Sequence, residues 1–469
     1  MQALNKFIKA ELEGIFGDCV IRDLKEIIDL YRQYDGSGQD WEVKQNLDYK
    51  PSKSRTNIIK KLIKEEARFM FSRSPEIRIE AIDKQKDGEK AEKLNHIINK
   101  ILKENNFGDK LLKGARDCFI GKRVALKLSA DETRVKPLFR PSMEFIFDTD
   151  AEDSDRLIKV IFFYQQNDSI DKKDQRIWKQ KYWIENGQCY LTEAVYDGHA
   201  RVIDIIKENE PLNIDFIPVK VIINDGLTGD LIGESDVTEI EENQEAYNHL
   251  KSDDLDALKF NMFPIKLGKN LSEATTEKLS IAPNAFVDGQ SENEDRDCDL
   301  SVVESTFNYE TKYLESINRA KNDMYELLNV PNVSLEQLKG LMQSGKSMKA
   351  LYWNLITRCN EKWTVWHCAL EWMIESILKM HKVYVDKSID LDFDYAINIT
   401  LLYSLPEDDQ AEKQNDLAEV NANVRSKKSY IQKWSIADDA DAELEQIAKE
   451  QSMFQDAFLG SVNSELENE

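Results

Sequence analysis

Cysteine and histidine are scarce. Six cysteines and five histidines are scattered through 469 residues, with no CxxC and no spacing of a metal-ligand set. The closest cysteine pair, Cys359 and Cys368, is not a metal pattern either. This excludes a zinc site and a disulfide framework as expectations, and with them any metal or other cofactor. A reducing cytosol is the natural compartment for such a chain. Glycine (18) and proline (10) are too few for low-complexity spacers. No run of 18 apolar residues exists, so no membrane-spanning helix and no membrane partner are expected. The opening stretch, MQALNKFIKAELEG, carries acids where a secretory leader needs an apolar run.

Charge is plentiful and unbalanced. Asp and Glu number 87 against 63 Lys and Arg, a formal net charge of -24, while 41% of residues are hydrophobic. That is the composition of a folded protein with an acidic surface. The length corresponds to about three domains. So acidic a chain is not expected to coat nucleic acid or an anionic membrane with its whole surface. A local basic patch, or a passage in which DNA moves without being held, stays compatible with it.

Hydrophobic periodicity divides the chain. Leu4, Phe7, Ile8 and Leu12, then Leu24, Ile27, Ile28 and Tyr31, predict helix over 1–35. SRTNIIKKLIKEEARFMF predicts a basic amphipathic helix over 54–71, stopped by Ser74-Pro75. A short strand is expected at 77–80, and helices at about 89–105 and 109–120. Between Val124 and Val221 the period changes to two, with tight-hairpin signals at Asn186-Gly187 and Asp197-Gly198. That region predicts a mostly antiparallel sheet. Long helices follow at about 236–259, 310–328 and 348–382, then a strand at 397–403 and an acidic helical tail. The fold class is therefore α+β, with no internal repeat.

The long helix at 348–382 has an unusual distribution. At 100° per residue, Trp353, Trp363, Trp366 and Trp372 fall at about 0°, 280°, 220° and 100°. A helix apolar nearly all round has to be covered on several sides. Its own sheet and a neighbouring subunit would do this, as would the core of a monomer.

One stretch, Gly340 to Ser347, satisfies the phosphate-binding pattern G-x-x-x-x-G-K-[ST]. That chemistry requires a buried strand entering the loop. Here the preceding residues, Ser334 to Lys339, read instead as a capped helix start. A P-loop NTPase using Gly340–Ser347 is kept as the alternative function. The competing reading is a mobile loop with Ser347 capping the following helix. No other catalytic pattern is present, so no catalytic residue is assigned. His367, among Trp366, Cys368 and Trp372, is expected to be a packed structural histidine.

Three stretches carry a resemblance. The first runs from Pro218 through Asn224, Gly233, Ser235, Tyr247-Asn248 and Ser252 to Pro264 and Gly268. The second is Ser344-Gly345-Lys346-Ser347-Met348-Lys349-Ala350-Leu351. The third is RTNIIKKLIKEEARFMFSRSPEI. Their order and spacing over roughly 50–405 resemble the portal proteins of tailed bacteriophages, most closely those of siphophages of Gram-positive hosts.

The resemblance implies a non-enzymatic ring, usually of twelve subunits, at one capsid vertex of the virion, assembled in the host cytoplasm. The ring is a channel for DNA packaging and ejection. Implied partners are other copies of the chain, double-stranded DNA, the large terminase, the head–tail adaptor, and the major capsid and scaffolding proteins. The implied parts are a wing (1–233), stem helices (234–260 and 306–330) with a clip between them (261–305), a tunnel loop (331–347), a returning wing segment (348–403) and a crown (404–469). The clip is expected to meet terminase and adaptor.

Gln337, Lys339, Gln343, Lys346 and Lys349 are the residues expected to touch DNA. Duplex DNA carries one charge per about 1.7 Å of axis, so a basic bore would stall it. Several of Glu239, Glu241, Glu242, Asp253 and Asp254 are accordingly expected to face the bore, although a solvated acidic exterior accounts for them equally well. A monomeric α+β binding protein is the third reading.

Overall fold

The computed structural model describes residues 17–41, 50–167, 171, 173–262, 265–273, 291–293, 295–297, 299–303, 310–333, 349–403, 409–434, 440 and 442–450. They belong to two units, Met1–Asn332 with Tyr352–Ser404, and Val333–Leu351 with Leu405–Glu469. The fold is α+β, as the periodicity predicts.

The first unit begins with α1 (Gly17–Asp35) and α2 (Ile58–Phe71). The helix predicted from 54 starts at Ile58, because Asn57 is extended, at φ -78° and ψ 90°, and residues 50–56 belong to no helix or strand. Asn57, not Ser54, is the cap: its side chain accepts the Lys60 amide at 2.8 Å. Strand β1 (Glu76–Ala81) follows, then α3 (Lys84–Glu104) and α4 (Phe107–Gly121). Asp83 caps α3, so that helix starts before the predicted Glu89.

The region of period two forms two sheets rather than one. Strands β2 (Arg123–Ala130), β3 (Val135–Pro141) and β9 (Val219–Ile223) make a three-stranded sheet in the order β3-β2-β9. Strands β4 (Phe145–Thr149), β5 (Leu157–Gln165), β6 (Ile177–Glu185), β7 (Gln188–Tyr196) and β8 (Val202–Pro211) form a meander in sequence order. All these pairings are antiparallel. Asn186 and Gly187 turn β6 into β7 with φ of 52° and 76°, the geometry a two-residue hairpin demands. The turn at Asp197 is longer. Its carboxylate accepts the amides of His199 and Arg201, and Ala200 takes the positive φ of 64°.

Three long helices complete this unit: α5 (Asp236–Met262), α6 (Glu310–Leu327) and α7 (Trp353–Tyr384). Between α5 and α6 lies a two-stranded ladder of β10 (Ile265–Lys269) with β11 (Asp299–Val303). After α7, β12 (Tyr395–Thr400) pairs with β1 in antiparallel register, Ile77 opposite Ile399.

The main core gathers one face each of α2, α4 and α7. Leu62, Ile63, Met70 and Phe71 meet Leu111, Ala115 and Phe119, and Leu370, Met373, Ile374 and Ile377 close the cluster. Each such side chain contributes about 1.5–3 kcal/mol of burial. The four tryptophans of α7 separate accordingly. Trp366 is 1% exposed, with Phe71 at 5.1 Å and Phe139 at 5.9 Å. Trp363 lies near Phe71 and edge-on to His367, and Trp372 meets Phe216 edge-on. Trp353 is 65% exposed. The chain itself thus covers three of the four directions.

In the second unit, α8 (Asp409–Asn421) and α9 (Lys427–Trp434) are tied through Asp416. Its carboxylate accepts the Trp434 indole at 2.7 Å and faces Lys433 at 2.9 Å and Arg425 at 2.6 Å.

Gly233 closes the turn between β9 and α5 at φ 78°, where an added Cβ would stand 2.4 Å from the Lys122 carbonyl oxygen. Gly233→Ala is expected to cost about 1–3 kcal/mol. Chemical denaturation of the purified chain checks this, and a change below about 0.5 kcal/mol would show the turn to be adaptable.

Candidate functional site

Strand β9 passes into α5 through a turn built by three residues. The Asn224 amide nitrogen of the backbone donates to the Lys122 carbonyl at 2.8 Å, and its side chain donates to the Glu234 carbonyl and the Asp236 carboxylate. Ser235 donates its hydroxyl to the Ile120 carbonyl at 2.7 Å and accepts the Val237 amide at 3.1 Å. That is an N-cap that also nails the helix start to the end of α4.

Asp236, the first residue of α5, enters a buried ionic cluster. From α7, Lys362 donates to Asp236 and faces Glu66 of α2 at 2.7 Å. One turn earlier, Arg358 donates to Glu66 at 3.1 Å, to Asp236 at 3.1 Å and to Glu239 at 2.7 Å. The same guanidinium reaches the Leu327 carbonyl, the last residue of α6, at 3.4 Å. The start of one long helix and the end of the other are thus held by a single arginine.

Glu66 and Asp236 are 0% and 1% exposed. Burial pushes the Asp236 carboxyl up, but Lys362 and Arg358 outweigh it and hold the group below the usual carboxylate range. At Glu66 burial and the neighbouring Asp236 prevail, and its carboxyl rises to about 7. Burial disfavours the Lys362 ammonium, yet Asp236 and Glu66 keep it charged.

Further along α5, a ladder of polar side chains grips residues 52–57 and the first turn of α2. Asp256 accepts the Ser52 amide with both oxygens at 3.0 Å, and Ser252 accepts the Ser54 amide at 2.9 Å. Asn248 accepts the Thr56 amide at 3.1 Å, and Gln244 accepts those of Ile58 and Ile59 at 2.8 and 3.2 Å. Gln244 also returns a bond to the Thr56 carbonyl at 2.9 Å. Helix residues every four positions match backbone amides every two. Four helical residues advance about 6.0 Å and two extended ones about 6.6 Å, so the registers agree. Helix α6 packs beside α5 through Tyr247, Ala320, Met324 and Leu328, and the Tyr313 hydroxyl donates to the Leu250 carbonyl. Lys61 of α2 donates to the Tyr325 hydroxyl at 2.7 Å.

The candidate residues named from sequence do not form one set. Glu239 is committed to Arg358. Glu241 and Glu242 both border a cavity of about 300 Å³ together with Gln33, Asp40, Trp41 and Glu245. The Glu241 carboxyl is raised by burial and then by Glu242, Glu26 and Glu245. Glu242 and Asp253 are exposed and eleven residues apart, close to three turns, on one side of α5. Asp254 is half-buried and points elsewhere on the helix. Lys349 is exposed and helical. Gln337, Lys339, Gln343 and Lys346 lie outside the described residues, as does the stretch 340–347. Residues 331–333, which are described, contain no strand.

Among the described residues no group of three or more His, Cys, Asp or Glu is arranged to hold a metal ion. His367 is half-buried against Trp363. Glu66, Arg358 and Lys362 were not singled out from sequence. The one available signal was two cations a single turn apart on a largely apolar helix.

Residues 16–457 match a family model described as phage portal protein, SPP1 Gp6-like. No curated protein matches the chain.

Removing one cation from the cluster leaves buried carboxylates uncompensated. Lys362→Met is expected to cost about 3–5 kcal/mol in chemical unfolding. The double variant Lys362→Met, Glu66→Leu should recover part of that loss. A single-variant cost under about 1 kcal/mol would mean that the cluster does not hold these helices.

Proposed function

Since the chain belongs to the SPP1 Gp6-like phage portal protein family, we propose that it forms a ring of about twelve copies around a channel for the phage genome. The family's role is structural, and the chain does its work through geometry and interfaces. In this reading α5 and α6 are the stem that walls the channel. The segment 261–305 between them is the clip, which docks the large terminase during packaging and the head–tail adaptor afterwards. Residues 331–347 are the tunnel loop, with Lys339 and Lys346 as its transient phosphate contacts. Capsid and scaffolding proteins meet the wing.

One observation carries the reading beyond the family match. Two helices of roughly 40 and 27 Å, at 1.5 Å per residue, lie side by side and share an ionic root at Arg358. Helix α5 bears eight acids against two bases. An anionic wall does not bind a polyanion, so a duplex can slide along it. Glu242 and Asp253, exposed on one line of α5, suit that wall best. Nothing supports nucleotide hydrolysis at Gly340–Ser347.

Electron microscopy and native mass spectrometry of the full chain test this. Rings of about twelve chain masses with an axial hole, inert toward ATP, are expected. A monomer at micromolar concentration would overturn the proposal. In a reconstituted packaging assay, Glu242→Lys with Asp253→Lys is expected to slow DNA translocation, most at low salt. Unchanged rates would remove these two residues from the channel wall.

A further inference from the structure

The junction of α2, α5 and α7 holds three carboxylates (Glu66, Asp236 and Glu239) against two cations (Arg358 and Lys362). Fully ionised, it carries one negative charge in excess, shared between two buried carboxylates and the partly exposed Glu239. One atom shows where that excess lies. The second carboxylate oxygen of Glu66 is buried and has no hydrogen-bond partner, which is costly for an ionised group.

We infer that Glu66 carries an exchangeable proton, which makes this junction a pH-sensitive latch between the wing-side helices and the root of α5. With the proton on, the cluster is balanced and the latch is tight. With the proton off, the charge is shared with a buried oxygen that has no hydrogen-bond partner, and the latch loosens.

The geometry selects Glu66 over Asp236. Asp236 stands at the start of α5, where the helix dipole favours an anion. It accepts from Asn224, Arg358 and Lys362 together. Glu66 is in the body of α2, with no such dipole, and only one of its oxygens is engaged. Glu239 is partly exposed, and water screens it.

The charged and titratable groups facing Glu66 can be stated element by element. Helix α7 presents Arg358, Lys362 and Cys359, and α5 presents Asp236. Glu239 enters only through Arg358, and Cys118 of α4 lies behind Lys362, whose ammonium sits over the Phe119 ring at 3.9 Å. None of these is a histidine.

The direction of the pH effect follows from the proton count. An unfolded Glu66 releases its proton near the ordinary value of 4.5, and the folded one near 7. Between those values folding takes up a proton, so stability falls as pH rises through this window and stays lower above it. This inference does not rest on ring assembly and can be tested on the full chain in any oligomeric state.

The test compares wild type with Glu66→Gln and Asp117→Asn. Asp117 is the control because burial also raises its carboxyl, to about 6, away from the cluster on α4 beside Tyr31. From pH about 5 to about 8, wild type should lose roughly a hundredfold in its folding equilibrium relative to Glu66→Gln. Infrared spectroscopy should show a protonated-carboxyl band that fades through about pH 7 and persists in Asp117→Asn, whereas Glu66→Gln keeps only the Asp117 band, which fades near pH 6. Should Glu66→Gln fail to fold, the Asp117→Asn spectrum decides alone. Among the described residues, Glu66 is then the remaining fully buried carboxyl raised in this way. Parallel stability curves, or no such band in Asp117→Asn at about pH 6, would overturn the inference.

Discussion

Arg358 and Lys362 set the geometry on which the rest of this molecule depends. Two cations one turn apart on α7 reach α2 through Glu66, and the start of α5 through Asp236 and Glu239. Arg358 also reaches the end of α6 through the Leu327 carbonyl. Hydrophobic burial would hold these helices at many similar angles. Ion pairs in a low-dielectric site tolerate few, because a charge displaced from its partner carries its full desolvation cost. The cluster therefore adds orientation more than net stability.

The ladder along α5 answers the same demand farther from the cluster. An extended backbone normally satisfies its amides in a sheet. Here residues 52–58 find acceptors on a helix, since Gln244, Asn248, Ser252 and Asp256 repeat every four positions. These residues leave α5 weakly amphipathic in the ordinary sense, because its buried stripe is polar in the middle. The stripe guides a second segment along the helix without a hydrophobic seam, while Glu242, Glu245 and Asp253 on the remaining faces are exposed.

Much of the fold was legible along the chain. Amphipathic α2 and α4, the antiparallel strands, the Asn186-Gly187 hairpin and the three long helices all follow from period and turn chemistry. Helix starts were less so, since Asn57 and Asp83 compete with other plausible caps and only packing chooses between them. Of the residues that carried the family resemblance, the structure gives Asn224, Gly233, Ser235, Asn248 and Ser252 a physical reason. They build the turn into α5 and its grip on the extended segment. The ionic cluster showed only as two cations one turn apart on α7, because its members lie as far apart in sequence as Glu66 and Arg358 and each carboxylate looks like one more charge in a chain that is 32% charged.

The amino-acid order by itself determined the element types, the α+β class, the acidic balance and the family. All of these depend on local period, local turn chemistry or composition. Only the tertiary structure decided which charges are buried and paired and which face water. Glu239 and Glu242 read alike in sequence, yet the first is bound by Arg358 and the second is exposed. A carboxylate's energy depends on the dielectric and the partners around it, and those are brought together only when distant helices pack.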